Sequence, residues 1–234
     1  MQLTVRDVAT LLNVSERTIY RWIKERTIPA YRISEQYRFH RAELLEWATA
    51  QRIGVSPEIF REAEDASVQM PSLSEALLAG GIVYRLMGTD KESVLRAAVE
   101  AMHLPDEVDR ELLLRVLVAR EALASTGIGD GIAIPHVRNP IVFHVPRSTI
   151  TLCFLERPVD FGALDGQPAH CLFTMVSPTV RAHLHLLSRL AFALRDPGFQ
   201  GVIRREGLPD EILAELRRVE SSLNQSLPVR AAGE

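Results

Sequence analysis

Residues 120–136, REALASTGIGDGIAIPH, carry three glycines at alternate positions, then an apolar run, a proline and a histidine. Alternating glycines weaken both helices and strands, so they indicate a backbone with special geometry. The glycines of a dinucleotide-binding loop follow a strand and open a helix, whereas these follow a helical pattern and lead into a strand. A P-loop requires Gly-Lys-Ser/Thr, which is absent here. The stretch therefore predicts a tight loop that places His136 at a sheet edge, and no cofactor is expected.

The sequence around this loop alternates between helical and strand-like patterns. The helical patterns cover residues 91–102, 104–124, 180–195 and 209–222, and the strand-like runs cover 82–86, 131–134, 148–156 and 170–177. A capping box over Thr89 to Glu92 is predicted to begin the first of these helices. Helices that flank such strands predict the fold class α/β, as an α/β/α sandwich with a mixed sheet.

Composition indicates an ordinary globular protein with an uneven charge distribution. The 234 residues are 47% hydrophobic and 24% charged. No run approaches the length of a membrane span, and Cys153 and Cys171 lie in apolar runs typical of reduced core residues. Without a signal-peptide pattern, we expect a cytoplasmic protein with no membrane partner. Residues 1–41 carry eight Lys and Arg against four Asp and Glu, or +4, which leaves −7 for the remainder and predicts nucleic-acid contact at the N-terminal end.

The N-terminal residues predict two short helices in succession. Thr4 can cap the first helix, and Ser15 can cap the second, ERTIYRWIKER at residues 16–26. On the second helix the apolar side chains fall on one side and the basic ones on the other. The basic side chains are those of Arg17, Arg21 and Lys24. One face is thus predicted to anchor the helix while a cationic face points outward, although a solvated basic face fits the same pattern.

A basic two-stranded pattern and a third helix follow. Strands are predicted at 31–33 and 37–39 around a polar turn at 34–36, with a helix from about residue 41. The whole pattern resembles the winged helix-turn-helix of the excisionase and MerR-like DNA-binding family, in LTVRDVATLLNVSERTIYRWIKERTIPAYRI and YRFHRAELLEW. The resemblance implies major-groove contacts by Arg17, Thr18, Arg21 and Lys24, and backbone contacts by Arg32 and Arg38. Docking of a protein by the same fold is the alternative.

The glycine-containing stretch carries a second resemblance. REALASTGIGDGIAIPH resembles the signature of the enzyme IIA domains of the phosphoenolpyruvate-dependent sugar phosphotransferase system, in the fructose/mannitol and nitrogen-regulatory class, and the resemblance extends from about Leu73 to Val219. It implies that His136 accepts a phosphoryl group from an HPr-type phosphocarrier protein, assisted by Arg120 and a second histidine, which His183 matches. The loop residues implied to surround the phosphate are Ser125, Thr126, Gly127, Gly129 and Gly131.

Helix geometry separates the two histidines of AHLHLLSRLA, residues 182–191. His183 shares a helix face with leucines, whereas His185 shares one with Ser188 and Arg189. Because residues two apart on a helix point in nearly opposite directions, only His183 is expected at the site. A zinc site built from His136, His183 and His185 is disfavoured for the same reason, and no metal is expected.

A change in composition predicts the domain organisation. Residues 54–72 are polar, with a proline near either end, and no strong apolar period crosses them. We therefore expect a winged helix-turn-helix DNA-binding domain at 1–52, a linker at 53–72, an enzyme IIA-like phosphoacceptor domain at 73–222 and a tail at 223–234.

Two functions of different classes follow. In the first, the chain is a regulator that accepts a phosphoryl group on His136 and controls DNA binding by its N-terminal domain, as a transfer intermediate rather than an independent turnover enzyme. In the second, it is a phosphocarrier or interaction module whose N-terminal domain docks a protein. Neither a membrane domain nor a IIB-type cysteine motif accompanies the signature, so sugar transport by this chain is not expected. The sequence leaves open whether the chain forms a homodimer.

Overall fold

The N-terminal region is a small three-helix unit with a three-stranded antiparallel sheet. The computed structural model describes residues 2–33, 36–51, 53, 70–137 and 145–226. The elements of the N-terminal region are β1 (Gln2–Leu3), α1 (Val5–Leu11), α2 (Glu16–Lys24), β2 (Tyr31–Ile33), β3 (Gln36–His40) and α3 (Arg41–Ala50). The strand order is β1-β3-β2. Most of the predicted linker, residues 54–69, and the end of the predicted tail lie outside the described residues.

Side-chain caps begin the first two helices, as predicted. The hydroxyl of Thr4 accepts a hydrogen bond from the backbone N–H of Asp7, whose carboxylate accepts from the Thr4 N–H, so the pair forms a capping box. Ser15 accepts from the N–H of Thr18 in the same way. Ile19 of α2 and Phe39 of β3 are both fully buried in the core of this region. The apolar face of α2 is therefore anchored as its sequence predicts.

In the described residues from 70 to 226, six helices surround a five-stranded sheet. The elements of this C-terminal region are α4 (Leu73–Gly80), β4 (Ile82–Leu86), α5 (Lys91–Ala101), α6 (Arg110–Leu123), β5 (Gly127–Gly129), β6 (Ile132–Ala133), β7 (Thr149–Val159), β8 (Ala169–Val176), α7 (Val180–Ala193), α8 (Pro197–Arg204) and α9 (Pro209–Ser226). The strand order is β4-β7-β8-β6-β5. The β4–β7 and β6–β8 pairs are parallel, whereas β7–β8 and β5–β6 are antiparallel.

Alternating side chains of the sheet form two separate cores. On β8, Cys171, Phe173 and Met175 face the layer of α4, α7, α8 and α9. Leu172 and Val176 face the opposite layer, which α5 and α6 provide. A strand buried on both faces reads as a nearly continuous apolar run, as residues 170–177 do. The predicted α/β class with a mixed sheet is confirmed.

Several predicted element boundaries were wrong. Asp90, not Thr89, caps α5. Its carboxylate accepts a hydrogen bond from the Ser93 N–H, and the Ser93 hydroxyl oxygen accepts one from the Asp90 N–H. The helix predicted at 104–124 was too long at its N-terminal end, because Asp109 caps α6 and the helix begins at Arg110. The sequence analysis also missed α4 and α8, and α9 runs to Ser226 rather than ending near residue 222. None of the helices in the described ranges is both long and apolar enough to cross a membrane.

Two helical glycines allow a direct check of the packing between α4 and the sheet. A Cβ atom on Gly80 would lie 2.3 Å from the backbone oxygen of Ile150, whereas one on Gly201 would meet no atom within 4 Å. We expect Gly80→Ala to lower the free energy of unfolding by about 2 kcal/mol or more, because β7 must shift. Gly201→Ala should raise it by about 0.5–1 kcal/mol, since alanine favours the helix. Urea unfolding measures both, and equal effects would contradict the packing.

Candidate functional site

His136 lies three residues after the end of β6 and forms an isolated parallel bridge with Met175 of β8. The sequence analysis expected it at a sheet edge, but the β5–β6 hairpin adds β5 outside β6, so the histidine lies at the end of an inner strand. Its Nδ1 atom is 2.7 Å from the carbonyl oxygen of Ile134. A ring nitrogen that donates to a carbonyl carries the proton, so Nε2 carries the lone pair. In the neutral ring Nε2 is therefore the nitrogen that can act as a nucleophile.

The imidazole of His183 on α7 contacts the ring of His136. The two ring centroids are 5.1 Å apart, with an angle of 34° between the ring planes. Both side chains are buried, at 3% and 1% of their full exposure. The structure therefore brings His136 and His183 together, as the helix-face prediction required.

His185 occupies a different face of the same helix and is half-buried. Burial, and after it the neighbouring positive charges of Arg189 and Arg181, lower the pKa of His185 to about 4. A neutral, separately packed His185 plays no part in the contact between His136 and His183. Within the described ranges, no group of three or more His, Cys, Asp and Glu side chains is arranged to hold a metal ion.

Arg120 lies in the last turn of α6 and is buried, with 6% of its surface exposed. Its guanidinium donates to the carbonyl oxygen of Ala124 at 2.6 Å. Carbonyl groups at the C-terminal end of a helix lack helical partners, and a basic side chain there satisfies one of them. Arg120 lines a cavity together with Ser125 and Gly127. A planar guanidinium at this place suits a phosphoryl group.

The glycine-containing stretch forms the β5–β6 hairpin, which the sequence analysis treated only as a loop. Its turn residues Asp130 and Gly131 have φ angles of 52° and 72°, and two successive positive φ values define a type I′ turn. A Cβ atom on Gly131 would lie 2.1 Å from Nδ1 of His170, so glycine is also required by space. Gly129 precedes the turn with a φ of 87°. The glycines thus shape the hairpin that carries the chain to His136.

Polar groups within the loop hold it in place. The buried carboxylate of Glu121 accepts from the N–H and the hydroxyl of Thr126 at 3.0 and 2.5 Å, and it pairs with Lys91 at 3.4 Å. The Ser125 hydroxyl accepts from the Gly127 N–H at 3.0 Å and donates to a backbone carbonyl. The hydroxyls of Ser125 and Thr126 and the N–H groups of Thr126 and Gly127 are therefore already bonded to protein acceptors. The sequence analysis did not single out Glu121 or Lys91, although a carboxylate directly after Arg120 was the available signal.

Comparison with known proteins identifies this α/β region. The sequence profile of the family described as "Phosphoenolpyruvate-dependent sugar phosphotransferase system, EIIA 2" matches residues 77–219. The chain belongs to this family. A second profile, described as a helix-turn-helix domain, matches residues 3–52. The predicted combination of an EIIA domain with an N-terminal helix-turn-helix domain is confirmed.

Proteins named for nitrogen regulation are similar to the EIIA domain. The nitrogen regulatory protein of Pseudomonas aeruginosa is 39% identical over 129 residues, which are 53% of this chain and 81% of the relative. That of Escherichia coli K12 is 34% identical over 136 residues, covering 51% and 80%. The crystal structure of nitrogen regulatory protein IIA-Ntr from Neisseria meningitidis superposes with a TM-score of 0.50 at 29% identity, over 58% of this chain and 91% of that one. In broad terms, this chain joins a nitrogen-regulatory type of EIIA domain to a helix-turn-helix domain.

The residues predicted to contact DNA divide into two groups. Arg17, Arg21, Lys24 and Arg32 are exposed. In contrast, the hydroxyl of Thr18 bonds to that of Ser15 at 2.9 Å. The Arg38 guanidinium donates to its neighbours Tyr37 and Gln36. The outward cationic face of α2 is therefore present, and the sequence analysis missed the exposed Tyr20 within it, which makes an edge contact with Tyr37.

Proposed function

We propose that the chain is a phosphotransferase-linked regulator. In this proposal His136 accepts a phosphoryl group from an HPr-type phosphocarrier, and its phosphorylation state controls DNA binding by the helix-turn-helix domain. The observation that carries the proposal is the hydrogen bond from Nδ1 of His136 to the Ile134 carbonyl, which leaves Nε2 as the nucleophile beside His183. Membership of the EIIA 2 family supports the reaction class.

The transfer step balances without any further reactant. The Nε2 lone pair of His136 attacks the phosphorus of a phosphohistidine on the carrier, and a new P–N bond forms. The P–N bond to the carrier breaks, and its electron pair returns to the carrier's imidazole. The proton on Nδ1 of His136 stays bound to that nitrogen throughout and keeps its hydrogen bond to the Ile134 carbonyl. The ring is thus oriented by the backbone and has no proton to lose at the attacking nitrogen.

Phosphoryl transfer of this kind depends mainly on positioning and on stabilising negative charge. Its loose transition state spreads charge over three phosphoryl oxygens. We assign charge stabilisation to the guanidinium of Arg120 and hydrogen-bond donation to His183, because both are fixed and buried. The hydrogen bonds of Glu121 hold the intervening loop, so we infer a positioning role for that carboxylate.

Identifying the phosphorylated residue tests the proposed transfer to His136. The full chain is incubated with phosphoenolpyruvate and purified phosphotransferase components, and the modified residue is located by peptide mapping. The proposal expects one phosphorylated residue, His136. Phosphate on another histidine, or none under conditions that phosphorylate a known EIIA domain, would overturn it.

The DNA-binding half of the proposal rests on α2. Arg17, Arg21 and Lys24 extend from a helix whose opposite side is anchored in the core, which is how a recognition helix meets the major groove. The charge of +4 on residues 1–41 provides the sequence-independent attraction to phosphates. The protein-docking alternative uses the same exposed face but requires no salt-dependent affinity for DNA.

Substitutions on α2 separate these two uses. With a duplex selected from random sequence, Arg21→Ala should weaken binding by about 1–3 kcal/mol if it contacts a guanine edge. Lys24→Ala should instead lower the slope of log affinity against log salt by about one, on selected and unselected duplexes alike. Arg85→Ala, which removes an exposed charge from the EIIA domain, is the matched control. Binding indifferent to both changes and to salt would favour the docking alternative.

A further inference from the structure

The helix-turn-helix domain contacts α7, which carries His183, and β5, which begins the hairpin before His136. Its helix α3 packs against α7 and β5 of the EIIA domain. Leu184, the residue directly after His183, packs against the hydrophobic core of the helix-turn-helix domain. β5 is the first strand of the hairpin that leads to His136. The contact between the domains therefore involves the residue next to His183 and the hairpin that precedes His136.

A cavity of about 580 Å³ lies between the two domains beside this contact. Its EIIA wall includes Arg120 and Ser125, and its other wall includes Trp47 and Glu43 of α3. On the EIIA side it is also lined by two leucines whose surfaces are largely exposed, Leu123 at 75% and Leu164 at 69%. Large apolar side chains that stay exposed beside polar ones are found on surfaces that bind another protein.

Access to the histidines imposes a steric requirement. His136 and His183 are almost fully buried, yet a carrier must bring its phosphoryl group into bonding distance of Nε2 of His136. Even a weak protein complex covers roughly 600 Å² on each partner. In the proposed function Arg120 lies at the transferred phosphoryl group, and the same Arg120 lines the cavity whose other wall is the helix-turn-helix domain. A carrier that covers the surface around Arg120 therefore meets the helix-turn-helix domain.

We propose that the helix-turn-helix domain occupies the surface on which the phosphocarrier must dock. Docking of this domain on the EIIA domain and phosphoryl transfer to His136 then exclude each other. The inference rests on the proposed function and specifies how its site is regulated.

A substitution at the contact separates the domains without touching the site. Thr49 of α3 lines a small cavity between the domains together with Ile128 and Ala191. Thr49→Arg places a long charged side chain there, and arginine favours a helix more than threonine does. Thr10→Arg is the matched control, because Thr10 is exposed on α1. Both hydroxyls donate to the carbonyl four residues earlier, in Leu45 and Arg6 respectively.

The rate of phosphorylation by a purified HPr-type carrier is measured on the full chain and on both variants. Thr49→Arg should be phosphorylated about 5- to 150-fold faster than the unmodified chain, which is the usual range of coupling between sites. Thr10→Arg should match the unmodified chain. Phosphoramidate, a small phosphoryl donor without a docking footprint, should gain much less from Thr49→Arg than the carrier does.

The outcomes distinguish the two proposals. Equal carrier rates for all three proteins would overturn the docking inference and leave the proposed function intact. An equal gain with the carrier and with phosphoramidate would overturn it too, because the barrier would then not be the carrier's surface. Absence of label on all three proteins would overturn the proposed function, and the inference with it.

Discussion

His136→Ala is expected to abolish phosphoryl labelling of the chain. The Ile134 carbonyl fixes the tautomer of this histidine, and alanine leaves no nucleophilic nitrogen at that position. The label on the unmodified chain should survive alkali and be lost in acid, as a P–N bond requires. His103→Ala, which changes an exposed histidine elsewhere in the EIIA domain, should keep full labelling.

Labelling is followed by transfer from phosphoenolpyruvate through purified phosphotransferase components, with the label counted before and after acid treatment. Circular dichroism of His136→Ala confirms that the variant is folded. Undiminished, acid-labile label on folded His136→Ala would contradict the assignment of the acceptor.

The second large effect is expected at His183. His183→Ala should slow single-turnover transfer by about 10²- to 10³-fold, the usual cost of removing one hydrogen-bond donor to transition-state charge. The matched variant His185→Ala should leave the rate within about twofold, since its ring lies on another face of α7. Rapid-quench kinetics at saturating carrier measure both rates.

A purely structural role for α7 predicts a different pattern. Both alanine variants would then lower the unfolding free energy and the transfer rate together. Slowing by His183→Ala at unchanged urea midpoint supports a role at the reacting phosphoryl group. Equal slowing by the two variants would contradict it.

Local signals in the sequence predicted the elements that depend on local physics. Thr4 and Ser15 could be predicted as helix caps because each hydroxyl bonds to a backbone N–H only three residues later in the chain. Helix periodicity supported the choice of His183 over His185, which the family resemblance had implied, and the structure brings His183 to His136. In contrast, the hairpin turn was not predicted, although Asp130-Gly131 between two short apolar segments is a strong signal for a type I′ turn.

Other features of the site depend on long-range or backbone groups that no pattern specifies. The acceptor for Nδ1 of His136 is a main-chain carbonyl, and every residue type offers one. Leu184 is an apolar residue of an amphipathic helix, and nothing local indicates that its partner is a different domain. The carboxylate of Glu121 was overlooked because its buried partners become close only after folding.

The domain contact bears on how a phosphoryl group can influence DNA binding. Phosphorylation adds up to two negative charges, but exposed charges are screened beyond about 8 Å at physiological salt. Long-range attraction between a +4 N-terminal segment and a −7 remainder therefore makes a poor switch. A contact that exists in only one phosphorylation state avoids this limit, and the packing of α3 against α7 and β5 is such a candidate.

The affinity of the chain for its selected DNA duplex in each phosphorylation state tests the central claim most directly. Fluorescence anisotropy at matched ionic strength compares the phosphorylated chain, the unphosphorylated chain and His136→Ala treated with the same donor. We predict that the first two differ by about 5- to 150-fold, or 1–3 kcal/mol, and that treated His136→Ala matches the unphosphorylated chain. Equal affinities in the two states would show that the domains only share a chain, and would contradict the regulator account.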